Sequence, residues 1–118
     1  MKLSVDLVAR ALKNAISDTR GRWVLGPHAE ARSEHRIRLS ANGLMSTYVM
    51  DRIFRTVDGE RWVVDYKTSR HEGSETTIFL NQETERYRHQ LISYRRAVNA
   101  TSAGLYFPLL QGWRELKS

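Results

Sequence analysis

Two stretches of this 118-residue chain place acids where apolar side chains are expected. The run Arg61-Trp62-Val63-Val64-Asp65-Tyr66-Lys67-Thr68 begins as a buried strand should, nearly continuous in apolar residues, and then offers Asp65 and Lys67. Side chains alternate along a strand, so these two share a face, roughly 6–7 Å apart. The run Tyr48-Val49-Met50-Asp51-Arg52-Ile53 carries Asp51 with the parity of Val49 and Ile53, again among apolar neighbours. Neighbouring strands lie roughly 5 Å apart, so Asp51 and Asp65 converge if the register permits.

Two converging carboxylates repel, and burial raises the cost of ionising both. A bound Mg²⁺ or Mn²⁺ resolves the conflict, because hard cations prefer oxygen ligands. On a phosphodiester such a cation polarises a non-bridging oxygen, helps turn water into hydroxide and holds the attack in line. Lys67 adds a positive charge that orients the water or stabilises charge building on the phosphate. The ordinary structural alternative is an Asp–Lys pair at a strand end, with Asp51 in an unrelated surface salt bridge. Asp-x-Lys taken alone favours that alternative. The apolar approach to each acid and the hairpin between them bring the two readings level.

The elements that must position these residues are legible. Residues 4–19 place Val5, Val8, Leu12 and Ile16 at helical spacing, with Ser4 as N-cap and Gly21 as stop. This predicts an amphipathic helix covering one side of a sheet. Pro27 and the polar stretch after it suggest a loop. Residues 35–40 alternate, with Arg36 and Arg38 on one side and Ile37 and Leu39 on the other. Asn42-Gly43 is a hairpin signal leading into a strand over 44–54, and Asp58-Gly59 a second, leading into 62–67. The result is a three-stranded antiparallel meander. Residues 69–82 are polar and contain Gly73, which reads as a mobile loop. Residues 83–100 form a helix with Tyr87, Leu91, Tyr94 and Val98 along one face. A short strand follows at Leu105-Tyr106-Phe107, and residues 111–116 are a candidate edge strand. The order predicts an α/β layered (α+β) domain: helix, three-stranded antiparallel meander, helix, strand.

Composition narrows the partners. Lys and Arg number 19 against 13 Asp and Glu, a net charge of +6, which suits a polyanion through counterion release or marks a generally basic surface. No cysteine is present, which excludes disulfides, thiolate zinc sites and cysteine-ligated iron–sulfur clusters. No apolar run approaches the roughly 20 residues that cross a bilayer, and no short apolar block of a secretory signal opens the chain. A cytoplasmic protein without membrane partners is expected. No Gly-x-x-x-x-Gly-Lys-Ser/Thr phosphate loop occurs, so the chain is not its own ATP-driven motor.

The helix after the loop supplies the remaining pattern. Gln90-Leu91-Ile92-Ser93-Tyr94 puts Gln90 and Tyr94 one turn apart on one face. Asp51, then Asp65-Tyr66-Lys67, then Gln90 with Tyr94 resembles the RecB-type branch of the PD-(D/E)xK nuclease superfamily. The phrases Trp62-Val63-Val64-Asp65-Tyr66-Lys67-Thr68, Tyr87-Arg88-His89-Gln90-Leu91 and Leu105-Tyr106-Phe107-Pro108-Leu109 are similar to the C-terminal nuclease domains of UvrD/AddA-like helicases, over residues 23–115.

The resemblance implies a restriction-endonuclease-like core and a single nuclease domain over 1–118, a C-terminal piece of a larger helicase–nuclease. It implies a metal-dependent exodeoxyribonuclease in DNA repair and recombination. Asp51 and Asp65 would be ligands of Mg²⁺ or Mn²⁺, the main-chain carbonyl of Tyr66 would complete the shell, and Lys67 would be catalytic. Gln90 and Tyr94 would lie at the edge of the site and touch DNA, and a helicase in the same polypeptide or a partner subunit would feed it. The chain departs from the family in carrying Tyr48 where a glycine often precedes the first aspartate. Its first helix also lacks the histidine or glutamate that many members have, which leaves Glu34, before the first strand, as a candidate further ligand. His28 and His35 read as surface residues. Arg86, Arg88, His89, Arg95 and Arg96 form either a solvated helix face or a track for the DNA backbone, with Arg86 and Arg95 the leading DNA contacts. Trp23, Trp62 and Trp113 read as core or sheet-edge packing. Two alternatives stand beside the nuclease: a non-catalytic DNA-binding module, and a domain that packs on a helicase through an exposed apolar patch.

Overall fold

A computed structural model describes residues 4–69 and 75–116. Its elements run α1 (Val5–Ile16), α2 (Thr19–Leu25), β1 (Ala29–Ala41), β2 (Leu44–Arg55), β3 (Arg61–Tyr66), α3 (Thr76–Ala97), β4 (Ser102–Phe107) and β5 (Gly112–Glu115). The strands form one five-stranded sheet in the order β1-β2-β3-β4-β5. All neighbours are antiparallel except β3 and β4, which α3 links in parallel. The architecture is mixed α/β, and among the described residues no helix is long and apolar enough to cross a membrane.

Both hairpin signals produce turns. Asn42 and Gly43 each have positive φ, 52° and 78°, as the two central residues of a type I′ turn require. Gly59, at φ 87°, closes the second loop, where the Thr56 N–H donates to the Glu60 carbonyl. The candidate edge strand is present as β5. β1, however, begins at Ala29, inside the stretch read as loop. Glu30 and Glu34 have left-handed φ, and the register shifts between Ala29 and Arg32; these irregularities erase the alternation by which a strand is recognised.

The sheet carries a core on each face. On one side α2 and Ala15 cover Phe54, Trp62, Val64 and Tyr106. Trp23 is the hub there, meeting Phe54, Trp62 and Trp113 edge-on at 5.1, 5.1 and 5.7 Å, while His28 stacks on Phe54 at 4.2 Å. His28 is thus half-buried, stacked at the edge of this core. On the other side α3 lays Leu80 and Leu91 over Ala103, Leu105 and Phe107, and Tyr94 and Val98 over Met50, Ile53 and Val63.

Two helical expectations need correction. The first helix ends at Ile16, and Asp18 caps a separate α2 by accepting from the Gly21 N–H at 3.2 Å, so Gly21 lies inside a helix instead of stopping one. The stripe Val5, Val8, Leu12 and Ile16 does not cover the sheet: it is 84%, 40%, 52% and 64% exposed, and Ala15 is the buried residue of α1. Periodicity identified the helix but not the direction of its stripe. In the second case α3 starts at Thr76, so residues 76–82 are helical where a loop was expected; residues 70–74, Gly73 among them, lie outside the described residues. Glu75 occupies the N-cap without a side-chain cap bond, so the usual start signal is missing.

The sheet's close packing gives a test. A Cβ on Gly104 would stand 2.7 Å from Cζ2 of Trp113, an overlap typical of overpacked cores. Gly104→Ala is expected to lower stability by about 1–3 kcal/mol in urea denaturation; an unchanged midpoint would show that the Trp113 ring yields freely.

Candidate carboxylate site at the β2–β3 fork

The β2–β3 ladder runs from Arg55↔Arg61 to Arg52↔Val64 and goes no further. The next donor on β3, the Tyr66 N–H, is taken by the Asp51 carboxylate, with Oδ2 at 2.8 Å. A side chain has replaced a backbone partner, and the strands fork.

Asp51 can do this because alternation slips at its position. Met50 and Ile53, three residues apart, both pack towards α3. Arg32 and His35, their partners on β1, are also three apart and line one cavity with Ile53. One extra residue on each strand, Asp51 and Glu34, absorbs the slip, and Glu34 takes the left-handed conformation there (φ 50°). Parity with Val49 was therefore the wrong guide, since Val49 is 39% exposed while Met50 is fully buried. Arg52 braces the fork, donating to the Val24 and Gly26 carbonyls at 3.1 and 2.9 Å and to Ser33 Oγ at 3.1 Å.

Asp65 is buried, 5% exposed, on the α3 side. Asp51 and Asp65 come within hydrogen-bonding reach, a contact that needs a proton between them. Burial first, then this hydrogen bond and the Asp65 charge, push Asp51 up to about 7, against smaller opposing effects from the Tyr66 N–H and Lys67. Lys67 places Nζ 2.8 Å from Asp65 Oδ2, 3.3 Å from Gln90 Oε1 and 3.8 Å from the centre of the Tyr87 ring. Tyr94 lies half-buried against Tyr48, ring centres 6.0 Å apart. Burial first, then the charges of Asp65 and Asp51, raises its phenol above the ordinary value.

Asp51, Asp65, Lys67, Gln90 and Tyr94 are thus gathered into one place. The Tyr66 backbone belongs there too. In an extended strand a residue's N–H and C=O point the same way, so its carbonyl is directed into the fork with the N–H that holds Asp51. The Tyr66 ring instead packs on the α2 side, its buried hydroxyl without a hydrogen-bond partner and pushed up to about 12 chiefly by burial. Glu34 is exposed, and among the described residues no group of three or more acids and histidines is placed to hold a metal ion. Where α1 approaches Asp51 it offers Val8, Ala11 and Leu12, which line an apolar cleft of about 420 Å³ with Tyr66, Thr68 and Pro108.

On α3, Arg88 and Arg95 are seven residues, or about two turns, apart and share one flank, while Arg86 lies across from them. Arg86 and Arg95 are nine residues, or about two and a half turns, apart, so they project from opposite flanks. Arg86 is on the Gln90 side, paired at 3.7 Å with the buried Glu83, and Arg88 pairs with Glu85. Tyr87 was read from sequence only as a core residue. Its position three residues before Gln90 was the available signal that it also faces the site.

No protein-family model and no curated protein matches the chain. Its fold is similar to the crystal structure of SSO0001, with a TM-score of 0.56 and 18% identity over 98% of this chain and 53% of that one. The likeness is one of fold alone. The chain spans about half the length of the SSO0001 chain.

The crowded carboxylates have a measurable cost. Folded, Asp51 keeps its proton up to about pH 7; unfolded, it loses it near its ordinary value of 3.8. Between those values the folded state binds more protons, so stability falls as pH rises. Asp51→Asn keeps an acceptor for the Tyr66 N–H and removes the charge. Allowing for its partial exposure, the variant is expected to exceed wild type by about 1–2 kcal/mol at pH 8 in EDTA, with the gain shrinking towards pH 4.5. A variant less stable than wild type at pH 8 would show that the pair is not under strain.

Proposed function

We propose that this chain is a metal-dependent DNA nuclease domain with a restriction-endonuclease-like core of the RecB type, acting as an exodeoxyribonuclease in DNA repair or recombination. The observation that carries this is the fork: a side chain displaces a backbone hydrogen bond in order to hold one carboxylate against another, with a lysine ammonium 2.8 Å from the second. Holding the two carboxylates together costs the fold stability, which favours a role for the pair beyond folding.

Mg²⁺ or Mn²⁺ fits the donors present. Asp51 and Asp65 offer oxygens that cannot both ionise comfortably, the Tyr66 carbonyl points into the same gap, and hard cations favour such a set. The cation supplies polarisation of the phosphate and a more acidic bound water. The chain's own groups do the rest. Asp65 and Gln90 fix the Lys67 ammonium, and the Tyr87 ring flanks it, so its charge is already in place when the phosphate becomes more negative. Gln90, exposed on α3, and Tyr94, beside it, form the rim that a nucleic-acid strand meets first. Hydrolysis is one in-line displacement by water, without a covalent intermediate.

Two observations favour additions to this picture. Only two carboxylates meet among the described residues, which favours a non-catalytic DNA-binding module if nothing further joins them. Val5, Val8, Leu12 and Ile16 of α1 form an exposed apolar patch, part of it lining the cleft beside Asp51, of the kind by which a domain packs on a larger body; a helicase, in the same polypeptide or as a partner subunit, is the partner proposed.

End-labelled linear DNA incubated with Mg²⁺ or Mn²⁺ is the test. Wild type is expected to cut, with Asp65→Ala and Lys67→Ala each reducing the rate at least about 100-fold. Folded wild type that does not cut in either metal would overturn the catalytic proposal. Millimolar Mn²⁺ is also expected to raise the melting temperature of wild type and leave that of Asp51→Asn/Asp65→Asn unchanged, because only the native site binds it.

A further inference from the structure

The β1–β2 hairpin outruns the sheet. Past Arg52 no β3 residue pairs with β2, so from His35 to Met50 the two strands form a free-standing ribbon. Ile37 and Tyr48 hold one face of its root against α3. The opposite face is built from the cross-strand pairs Arg36↔Val49, Arg38↔Thr47 and Ser40↔Met45, because directly opposed residues share a face. All six are exposed.

Arg36 and Arg38, like Arg10, Arg32, Arg95 and Arg96, have no ion pair or side-chain hydrogen bond among the described residues, whereas Arg55, Arg61 and Arg88 each have an acid partner. What sets these two apart is that both stand on one exposed face of the ribbon. They lie two residues apart on one strand, roughly 7 Å, so like charges face each other with no counter-charge. An anionic partner relieves that repulsion. The ribbon is also two strands wide, a shape that the major groove of B-DNA admits, being about 12 Å across.

We propose that this ribbon lies in the major groove of double-stranded DNA, with Arg36 and Arg38 on backbone phosphates. Both arginines belong to β1, so both meet the same wall of the groove and hold one strand. β2 runs along the other wall, and Asp51 sits on it two residues, roughly 7 Å, beyond Val49. The ribbon thus grips one strand beside Asp51, on the face of β2 away from α3. This extends the nuclease proposal by naming its substrate as duplex, and its test is independent of cutting.

The test is fluorescence anisotropy in EDTA with a labelled 20-base-pair duplex and the matching single strand, over a series of KCl concentrations. Wild type is expected to bind the duplex more tightly. In Arg36→Ala/Arg38→Ala the slope of log K against log[KCl] is expected to fall by about 1.8, two phosphate contacts at about 0.9 each. Arg36→Lys/Arg38→Lys, which keeps the charge, should retain the wild-type slope. A wild type that binds no duplex, single strand bound as tightly as duplex, or an unchanged slope in the alanine variant would each overturn the ribbon. Wild type that binds with the expected slope and never cuts in Mg²⁺ or Mn²⁺ would overturn catalysis alone.

Discussion

One hydrogen bond organises this molecule, from the Tyr66 N–H to the Asp51 carboxylate. A backbone donor inside a sheet must be satisfied, and leaving it bare costs about as much as a lost hydrogen bond. Here the partner is a side chain, and three things follow from the substitution. β2 is released from β3 and carries its hairpin clear of the sheet. Asp51 is turned sideways from both faces at the point where its strand slips by one residue. The carboxylate is also fixed beside Asp65, a neighbour it would otherwise avoid.

The crowding that results is balanced from both sides of the sheet. Lys67 neutralises Asp65 from the α3 side, held in turn by Gln90 and flanked by the Tyr87 ring. Arg52 ties the base of the fork to the end of α2 without touching either acid's oxygens in the described contacts. Crowding two carboxylates in this way costs stability. The arrangement also separates roles within one segment. Asp65 and Lys67 face α3, while the Tyr66 ring between them belongs to the opposite core.

Much of this was legible in the sequence because it is local. Asn42-Gly43 and Asp58-Gly59 set their turns through positive φ, which few residues tolerate, and Asp65 with Lys67 interrupts an apolar strand visibly. Gln90 and Tyr94 follow from helical spacing. What escaped depends on distant partners. Nothing near Val5, Val8, Leu12 and Ile16 reveals that α2 takes the place on the sheet that their stripe seemed suited to. The first turns of α3 do carry an apolar run, Ile78-Phe79-Leu80, but Glu75 at the N-cap makes no side-chain cap bond, so no start signal marked them, and Leu80 is anchored by residues far along the chain. Strict alternation placed Asp51 by Val49 and Ile53, and only the paired slip opposite Glu34 shows how it reaches Asp65. Arg86 and Arg95 were grouped by charge, which ignores the angle between them.

The single parallel pairing has a consequence in time. β3 emerges early in the chain, but its second neighbour, β4, lies about forty residues later, as the Arg61–Thr101 hydrogen bond marks. The intervening α3 must fold and cross over before that side of β3 is closed, and long-range closure of this kind is slow. Until then the segment bearing Asp65 and Lys67 has neither its β4 pairing nor Gln90 beside it. The Asp65–Lys67–Gln90 cluster is therefore completed only after α3 has crossed over, although Asp51 and Tyr66 can meet within the earlier β2–β3 hairpin.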